Sequence, residues 1–362
     1  MSCPKCTLGI GSAVSHNSQI AAGFQLLQEK GLLEITGCAY HPMQSDNTYE
    51  HNVCVLVTFE DGRRLLYDMA DGYEHLQRKW VIDHQLEALH RCFKRSYAPA
   101  FYRGMKNAKK MRPLGLNFFV SCNNNPFDAL RRRPRRSVPE PQESHNRFDS
   151  YNALFYTRVW ETVGIHPRWS PASFPFLTEA QARREAEERA EDRERVNRMR
   201  IDCIRALREA LGERFCGGVQ NSLQAKKSCP DLILPDEMTQ RQYFLSLLRQ
   251  NFICLANDGL YHSIGWKMAE YAANARAIVT ETLKYELPGN FSEGQNYLSF
   301  ASPEECTAQT SRLLDDTALI HRMEENNFTY YCDYARPEGM VRHSLQEAMP
   351  ELFGESAASR ER

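Results

Sequence analysis

Apolar and polar residues change period several times along this chain, and the order of those changes predicts alternating strands and helices. Leu8 to Ile10 reads as a short strand, Gly11 to Ser18 as a polar loop, Gln19 to Lys30 as a helix ending before Gly31, and Leu32 to Ala39 as a second strand. A β, loop, α, β opening of this kind is how a Rossmann-like domain begins. Val53 to Phe59 and Arg64 to Tyr67 flank Glu60, Asp61 and Gly62, an Asp-Gly hairpin signal that adds an antiparallel element to the first half. Trp80 to Phe93 predicts a helix and Leu114 to Ser121 a strand.

The second half repeats the alternation. Asn152 to Trp160 reads as a buried strand with Arg158 near its end, and Thr178 to Phe215 as a long helix. That helix is densely charged from Arg183 to Arg200, a stretch expected to face solvent, and amphipathic through Ile201, Ile204, Leu207 and Leu211. Strands follow at Cys216 to Val219, Cys229 to Leu234 and Asn251 to Ala256, with a helix at Thr239 to Arg249. Such alternation is what a parallel sheet requires, and ligands of parallel sheets sit at the carboxyl ends of the strands.

The stretch from Asn257 to Gly289 runs as loop, helix start, short helix, strand and turn. Gly259 and Gly265 flank the helix start, where backbone N–H groups lack partners within the helix and the macrodipole favours a phosphate or diphosphate. Lys267 adds a mobile positive charge, and Glu270 stands where its carboxylate reaches sugar hydroxyls. The same stretch equally fits an ordinary amphipathic helix with Ile264, Met268 and Ala272 turned inward.

On these residues the chain resembles glycosyltransferases of the GT-B architecture, two Rossmann-like domains facing an interdomain cleft, and in particular the group 1-like C-terminal domain of retaining enzymes. Those enzymes carry two acidic residues with a glycine between them. His262, Gly265 and Glu270 fall at those positions here, with a histidine in place of the first acid. The resemblance continues through Ala277 to Glu281, the Pro288–Gly289 turn, Asn296 to Phe300, Ser302 to Asp316 and Asn326 to Pro337. It implies an α/β fold divided into an acceptor domain at 1–130, a donor domain at 151–337 and a crossing helix with its tail at 338–362. The activity implied is transfer of a sugar, of hexosyltransferase type, from a nucleotide-sugar co-substrate to a hydroxyl of a glycan, lipid-linked or protein acceptor, in cell-surface polysaccharide or glycoconjugate synthesis. Donor contacts then fall to Arg158, Gly259, His262, Ser263, Gly265, Lys267 and Glu270. Arg158 takes the role of the strand-end arginine that holds the donor diphosphate, for which a guanidinium's planar fork suits it. No lysine follows it closely, and Lys267 stands in.

His16, in the polar loop before the first helix, lies where some inverting relatives carry a catalytic base. A neutral imidazole there accepts the proton of an attacking hydroxyl, or else hydrogen-bonds the helix start. Asp68 and Asp71 orient such a base, bind acceptor hydroxyls, or serve the turn signalled by Asp71-Gly72. The stereochemical outcome stays open, and a nucleotide-sugar epimerase or a non-catalytic glycan-binding scaffold are the alternatives. No Asp-x-Asp occurs, so backbone N–H groups, Arg158 and Lys267 are expected to replace a divalent cation at the diphosphate, with no cofactor required.

Composition narrows the remaining classes. The 362 residues exceed what one core usually supports. With 45 basic and 46 acidic side chains the net charge is −1, which leaves no global field for nucleic acid. Between Arg131 and Gln142 stand five Arg and three Pro, expected to belong to a linker at 131–150 and to offer any peripheral contact with an anionic membrane. The 12 cysteines are spread from Cys3 to Cys332 with no secretory signal before them, so a reducing cytoplasm is the expected home. Cys3 and Cys6 form a CxxC without the further ligands a zinc site needs. No apolar run is long enough to span a membrane.

Overall fold

A computed structural model describes residues 3–40, 53–72, 79–130, 152–162 and 178–354. The expected basic linker at 131–150 and the tail beyond 354 lie outside the described residues. In chain order the elements are β1 (Lys5–Ile10), α1 (Ser18–Glu29), β2 (Glu34–Tyr40), β3 (Cys54–Phe59), β4 (Arg64–Asp68), α2 (Lys79–Glu87), β5 (Arg91–Lys94), α3 (Pro99–Tyr102) and β6 (Met111–Pro113). They continue with β7 (Ala153–Thr157), α4 (Glu179–Leu211), β8 (Phe215–Val219), α5 (Leu223–Ser228), α6 (Arg241–Gln250), β9 (Ile253–Ala256), α7 (Trp266–Ala273), β10 (Ala277–Glu281) and β11 (Tyr297–Phe300). Helices α8 (Pro303–Asp315), α9 (Thr317–Tyr330), α10 (Pro337–Ala348) and α11 (Pro350–Phe353) complete the chain.

The chain divides into two α/β units. The first comprises Met1–Pro141, Lys284–Phe291 and Thr329–Arg362, and the second Gln142–Leu283 and Ser292–Phe328. The first unit therefore takes back the chain earlier than 338, and also takes the turn at Pro288–Gly289.

The sheet of the first unit has the order β2-β1-β3-β4-β5-β6. Only β3 runs against the rest, pairing antiparallel with both β1 and β4. The hairpin expected at Glu60–Gly62 thus lies inside the sheet and not at its edge. Burial follows the pleat of β1, where Cys6, Leu8 and Ile10 join a core completed by Phe24 of α1 and by Met340, Val341 and Leu345 of α10. Because β1, β4 and β5 point the same way, the segments that follow them emerge at one edge of the sheet.

Two readings in this unit need correction. The helix expected to reach Phe93 stops at Glu87, and Arg91–Lys94 becomes β5, paired parallel with β4. Leu114 to Ser121 is buried but joins no ladder. Gly115 sits at φ +115°, which breaks an extended run, and α1 side chains take over the backbone groups of this segment. Gln19 Nε2 donates to the Leu116 carbonyl at 3.1 Å, Gln19 Oε1 accepts from Phe118 N at 3.2 Å, and Ser18 Oγ donates to the Val120 carbonyl at 2.7 Å.

The second unit carries a five-stranded, fully parallel sheet ordered β11-β10-β9-β7-β8. The chain steps outward from β7 to β8, then returns to the other side of β7 to lay down β9, β10 and β11. The junction of β7 and β9 is the topological switch point, where the loops leaving adjacent strands diverge and leave a crevice. Ile201, Cys203, Ile204 and Leu207 of α4, with Leu313 and Leu314 of α8, cover Phe155, Leu255 and Val279 of the sheet. Cys229 to Leu234 is not a strand: Pro230 opens a short 3-10 turn, and one bridge joins Ile233 to Val219.

Candidate functional site

Three loops meet at the carboxyl edge of the second unit's sheet. Arg158 follows β7, Asn257 and Asp258 follow β9, and Glu281 ends β10. Arg200 of α4, only 8% exposed, ties the first two together. Its Nη1 donates to the Arg158 carbonyl at 2.8 Å and its Nη2 to the Asp258 carbonyl at 3.0 Å. The structure therefore brings Arg158 and the loop entering Gly265 to one place. The Arg158 guanidinium stacks on the Trp160 indole, 3.9 Å from the ring centroid, which fixes its plane.

The loop itself is tightly wound. Gly259 N donates to the Ser263 carbonyl at 2.7 Å, and Ser263 N to the Leu260 carbonyl at 3.0 Å. A Cβ on Gly259 would fall 2.4 Å from Ser263 Oγ, so only glycine fits. Tyr261 and His262 both have φ of 58°, the left-handed region, which costs each of them roughly 1–3 kcal/mol. What holds them there is a bond from Tyr261 N to Asp192 Oδ2 at 2.8 Å and one between His262 Nδ1 and Asp258 Oδ2 at 2.6 Å.

Gly265 is the N-cap of α7, with no side-chain cap and open space where a Cβ would stand. No side chain therefore caps the first turn of α7, beside which Lys267 stands. Lys267 Nζ makes no hydrogen bond or ion pair among the described residues, and lies 5.4 Å from the centroid of the Phe244 ring. Burial pushes its ammonium down to about 7, Arg200 and Arg158 push the same way, and Glu270 opposes them. Arg200 is likewise pushed down to about 10 by burial and by Arg158. These cations repel one another, while Glu281 and Asp258 oppose the shift on Arg200 as Glu270 does on Lys267.

Glu270 is one of those carboxylates. It is buried, and Arg241 Nη1 of α6 donates to its Oε1 at 2.6 Å, so it is held in an ion pair within the unit. Glu281 Oε2 accepts from Asp258 N at 3.0 Å and Asn257 Nδ2 at 3.2 Å, while burial and then Asp258 raise its pKa. Arg195 of α4 stands 3.8 Å from Asp258 and 3.7 Å from Glu281, and pairs with Asp192 at 2.9 Å. Arg200 Nε and Asn257 Oδ1 are buried with no hydrogen-bond partner among the described residues. Buried polar atoms of this kind ordinarily have partners.

Sequence reasoning missed Asp192, Arg195 and Arg200 by giving the charged part of α4 to solvent. The signal was present for Arg200, which falls four residues after Val196 and four before Ile204, on the buried stripe of the helix. A charge on that stripe marks an inward-facing site residue.

In the first unit, His16, Asp71 and Arg95 gather at the carboxyl edge of β1, β4 and β5. His16 Nδ1 lies 2.6 Å from Asn117 Oδ1, while Asn117 Nδ2 donates to the His16 carbonyl at 3.2 Å and to Gln19 Oε1 at 2.7 Å. These bonds turn the Asn117 amide oxygen toward Nδ1, the same ring nitrogen that Arg95 Nη1 approaches. Burial, followed by the Arg95 charge, pushes the imidazole down to about 4. Asp71 does not reach His16 by a direct hydrogen bond among the described contacts: Arg95 Nη1 lies between them, 2.5 Å from Asp71 and 3.3 Å from His16. Asp68 is buried in an ion pair with Lys94 at 3.0 Å and accepts from Ala70 N, a structural role.

Among the described residues, no group of three or more His, Cys, Asp or Glu side chains is placed to hold a metal ion, and no helix is long and apolar enough to cross a membrane. Cys6 of the CxxC is buried in β1 and Cys3 is exposed, the two being free thiols.

No family model matches the sequence, and no curated protein matches it either. Solved structures do. One is the C-terminal domain of a glycosyl transferase group 1 family protein, LpcC, from Francisella tularensis: 11% identity and a TM-score of 0.33, covering 53% of this chain and 93% of that domain. Another is TarM, at 10% identity and a TM-score of 0.38, covering 75% of this chain and 46% of TarM. The chain thus spans less than half of TarM's length. The two α/β units are read from the chain's own sheets, not from these neighbours. Likenesses this slight identify no donor, acceptor or reaction.

Proposed function

We propose that this chain is a glycosyltransferase that holds the diphosphate of a nucleotide-sugar at the β7–β9 switch point of its second unit. The observation that carries this reading is the convergence of Arg158, Arg200 and Lys267 on the first turn of α7. Among the described residues Arg200 makes only backbone hydrogen bonds and Lys267 makes no ion pair, and both are pushed down by burial first and by neighbouring guanidinium charge after it. A bound dianion offsets that burial and repulsion and accepts from the backbone at the uncapped start of α7. The partnerless Asn257 Oδ1 and Arg200 Nε supply further hydrogen-bonding capacity beside it. The same cations stabilise the negative charge that develops on the leaving diphosphate, so the reading needs no divalent metal.

The acceptor in this reading is a hydroxyl of a glycan, lipid-linked or protein substrate, and the pathway is synthesis of a cell-surface polysaccharide or glycoconjugate. Glu270 and Glu281 steer the donor indirectly, Glu270 by anchoring α6 to α7 and Glu281 by fixing the Asn257–Asp258 loop. His16 and Asp71 belong to the acceptor side, where burial and then the Arg95 charge keep the imidazole neutral. Incubation with a panel of nucleotide-sugars and candidate acceptors tests the reading. Free nucleotide together with a new glycoside supports it, an isomerised donor replaces it with epimerisation, and absence of both with no donor binding overturns it.

A further inference from the structure

Asp258 and His262 form a pair whose geometry exceeds what a loop contact requires. The carboxylate is 4% exposed on its side chain and the imidazole 43%, so a buried acceptor grips one ring nitrogen while the rest of the ring meets solvent. Oδ2 only accepts, so Nδ1–H donates to it and Nε2 is the ring nitrogen left outside that contact. Nε2 has no hydrogen bond among the described residues. Asp258 is itself held at backbone and side chain: its N–H donates to Glu281 Oε2, its carbonyl accepts from Arg200, and Arg195 stands 3.8 Å from Oδ2. Two successive left-handed residues, neither of them glycine, turn the ring back onto Asp258 instead of letting it run on toward α7. Strain of this kind persists where the surroundings over-determine it, and here Asp192, Gly259 and Ser263 do so.

We propose that His262, positioned by Asp258, is the proton acceptor of the transfer reaction, an assignment that rests on the donor site described above. The same loop that carries His262 leads directly into Gly265 and the first turn of α7. As the acceptor hydroxyl attacks, its O–H bond breaks and the proton passes to Nε2 while its oxygen bonds to the anomeric carbon. The bond from that carbon to the diphosphate oxygen breaks, and the electron pair leaves with the diphosphate toward Lys267, Arg158 and Arg200. The imidazolium so formed is stabilised by the Asp258 carboxylate. His262 is thus a catalytic residue and Asp258 its positioning residue. A histidine occupies the place of the acid expected from resemblance because a buried aspartate four residues earlier is there to orient it.

The test uses the full chain and a nucleotide-sugar it consumes, with donor affinity and turnover measured separately. Glycine at 262 keeps the left-handed backbone without strain and leaves room for a free imidazole. His262→Gly should lose about 100-fold or more in kcat with donor affinity within a few-fold of wild type, and added imidazole should restore a substantial part of the lost rate. Asp258→Asn should lower kcat with donor affinity kept, because the proton then prefers the wrong nitrogen. His262→Asn, which tolerates the same backbone and keeps a polar side chain, should be as slow as the glycine variant and resist rescue. Wild-type kcat in His262→Gly, or a loss that imidazole leaves untouched while the donor still binds, overturns the assignment. Failure of the wild-type protein to bind any nucleotide-sugar overturns the donor-site reading instead.

Discussion

Lys267 gives the donor site a proton that binding must move. Burial and two neighbouring guanidinium groups hold it at about 7 in the free protein, so the free site loses its charge as pH rises through neutrality. A phosphate oxygen about 4 Å away, at an effective dielectric near 20, is worth about 4 kcal/mol to the ammonium, equivalent to roughly three pKa units. The bound form therefore stays protonated through pH 9. Between pH 7 and pH 9 the protonated fraction of the free site falls from about one half to about one hundredth, so affinity should weaken roughly 50-fold over that interval. Arg200, at about 10, keeps its charge throughout and contributes little to the slope. The assay is titration calorimetry with a nucleoside-diphosphate sugar, whose diphosphate diester has no proton to lose near neutrality, in two buffers of different ionisation enthalpy. Wild type should take up close to half a proton on binding at pH 7 and nearly one at pH 8.5. Lys267→Met should bind weakly at every pH and take up almost none. Wild-type affinity that is flat from pH 6 to 9, or a methionine variant that keeps the slope, refutes the reasoning.

Further tests address the loop, the first-unit histidine and the metal. Gly265→Ala meets open space at a permitted backbone conformation, so the melting temperature should hold while donor affinity drops about tenfold from the added methyl group against the diphosphate. Gly259→Ala should instead lower the melting temperature, because its Cβ would sit 2.4 Å from Ser263 Oγ; equal melting temperatures for the two variants contradict the loop geometry. His16 is held at about 4, below its unfolded value of roughly 6.5, so the unfolded chain binds more protons between those pH values and stability should fall as pH drops through that window. His16→Asn should flatten the fall in denaturant midpoint over that range, and an unchanged pH profile counts against the assignment. A chelator should leave turnover unchanged, and loss of activity restored by a divalent cation would falsify the metal-free reading of the diphosphate site.

Much of the second unit was legible because its strands are short apolar runs between clear helix signals. Ala277 to Glu281 forms β10 over the residues read as a strand, and the helix after Gly265 begins at Trp266, whereas β11 at Tyr297–Phe300 was not read as a strand. The hairpin at Asp61-Gly62 was equally plain, since an Asp-Gly turn between two alternating runs has few other solutions. What sequence could not give was partnership across long separations. Leu114 to Ser121 has the composition of a strand, yet its carbonyls bond to Gln19 and Ser18, about a hundred residues away. Glu270 has the position of a sugar-binding acid, and only coordinates reveal Arg241 against it. Arg200 was the readable miss: its helical phase placed it inward, but the run of charge around it masked the phase.

The central claim is that a diphosphate is gripped where Arg158, Arg200 and Lys267 meet the start of α7. A crystal structure of the full chain with a bound nucleotide-sugar tests it most directly. The account predicts phosphate oxygens within hydrogen-bond distance of Lys267 Nζ, the Arg158 guanidinium and the backbone N–H groups following Gly265, with the anomeric carbon within reach of His262 Nε2. A diphosphate bound away from the β7–β9 edge, with these cations uninvolved, contradicts it.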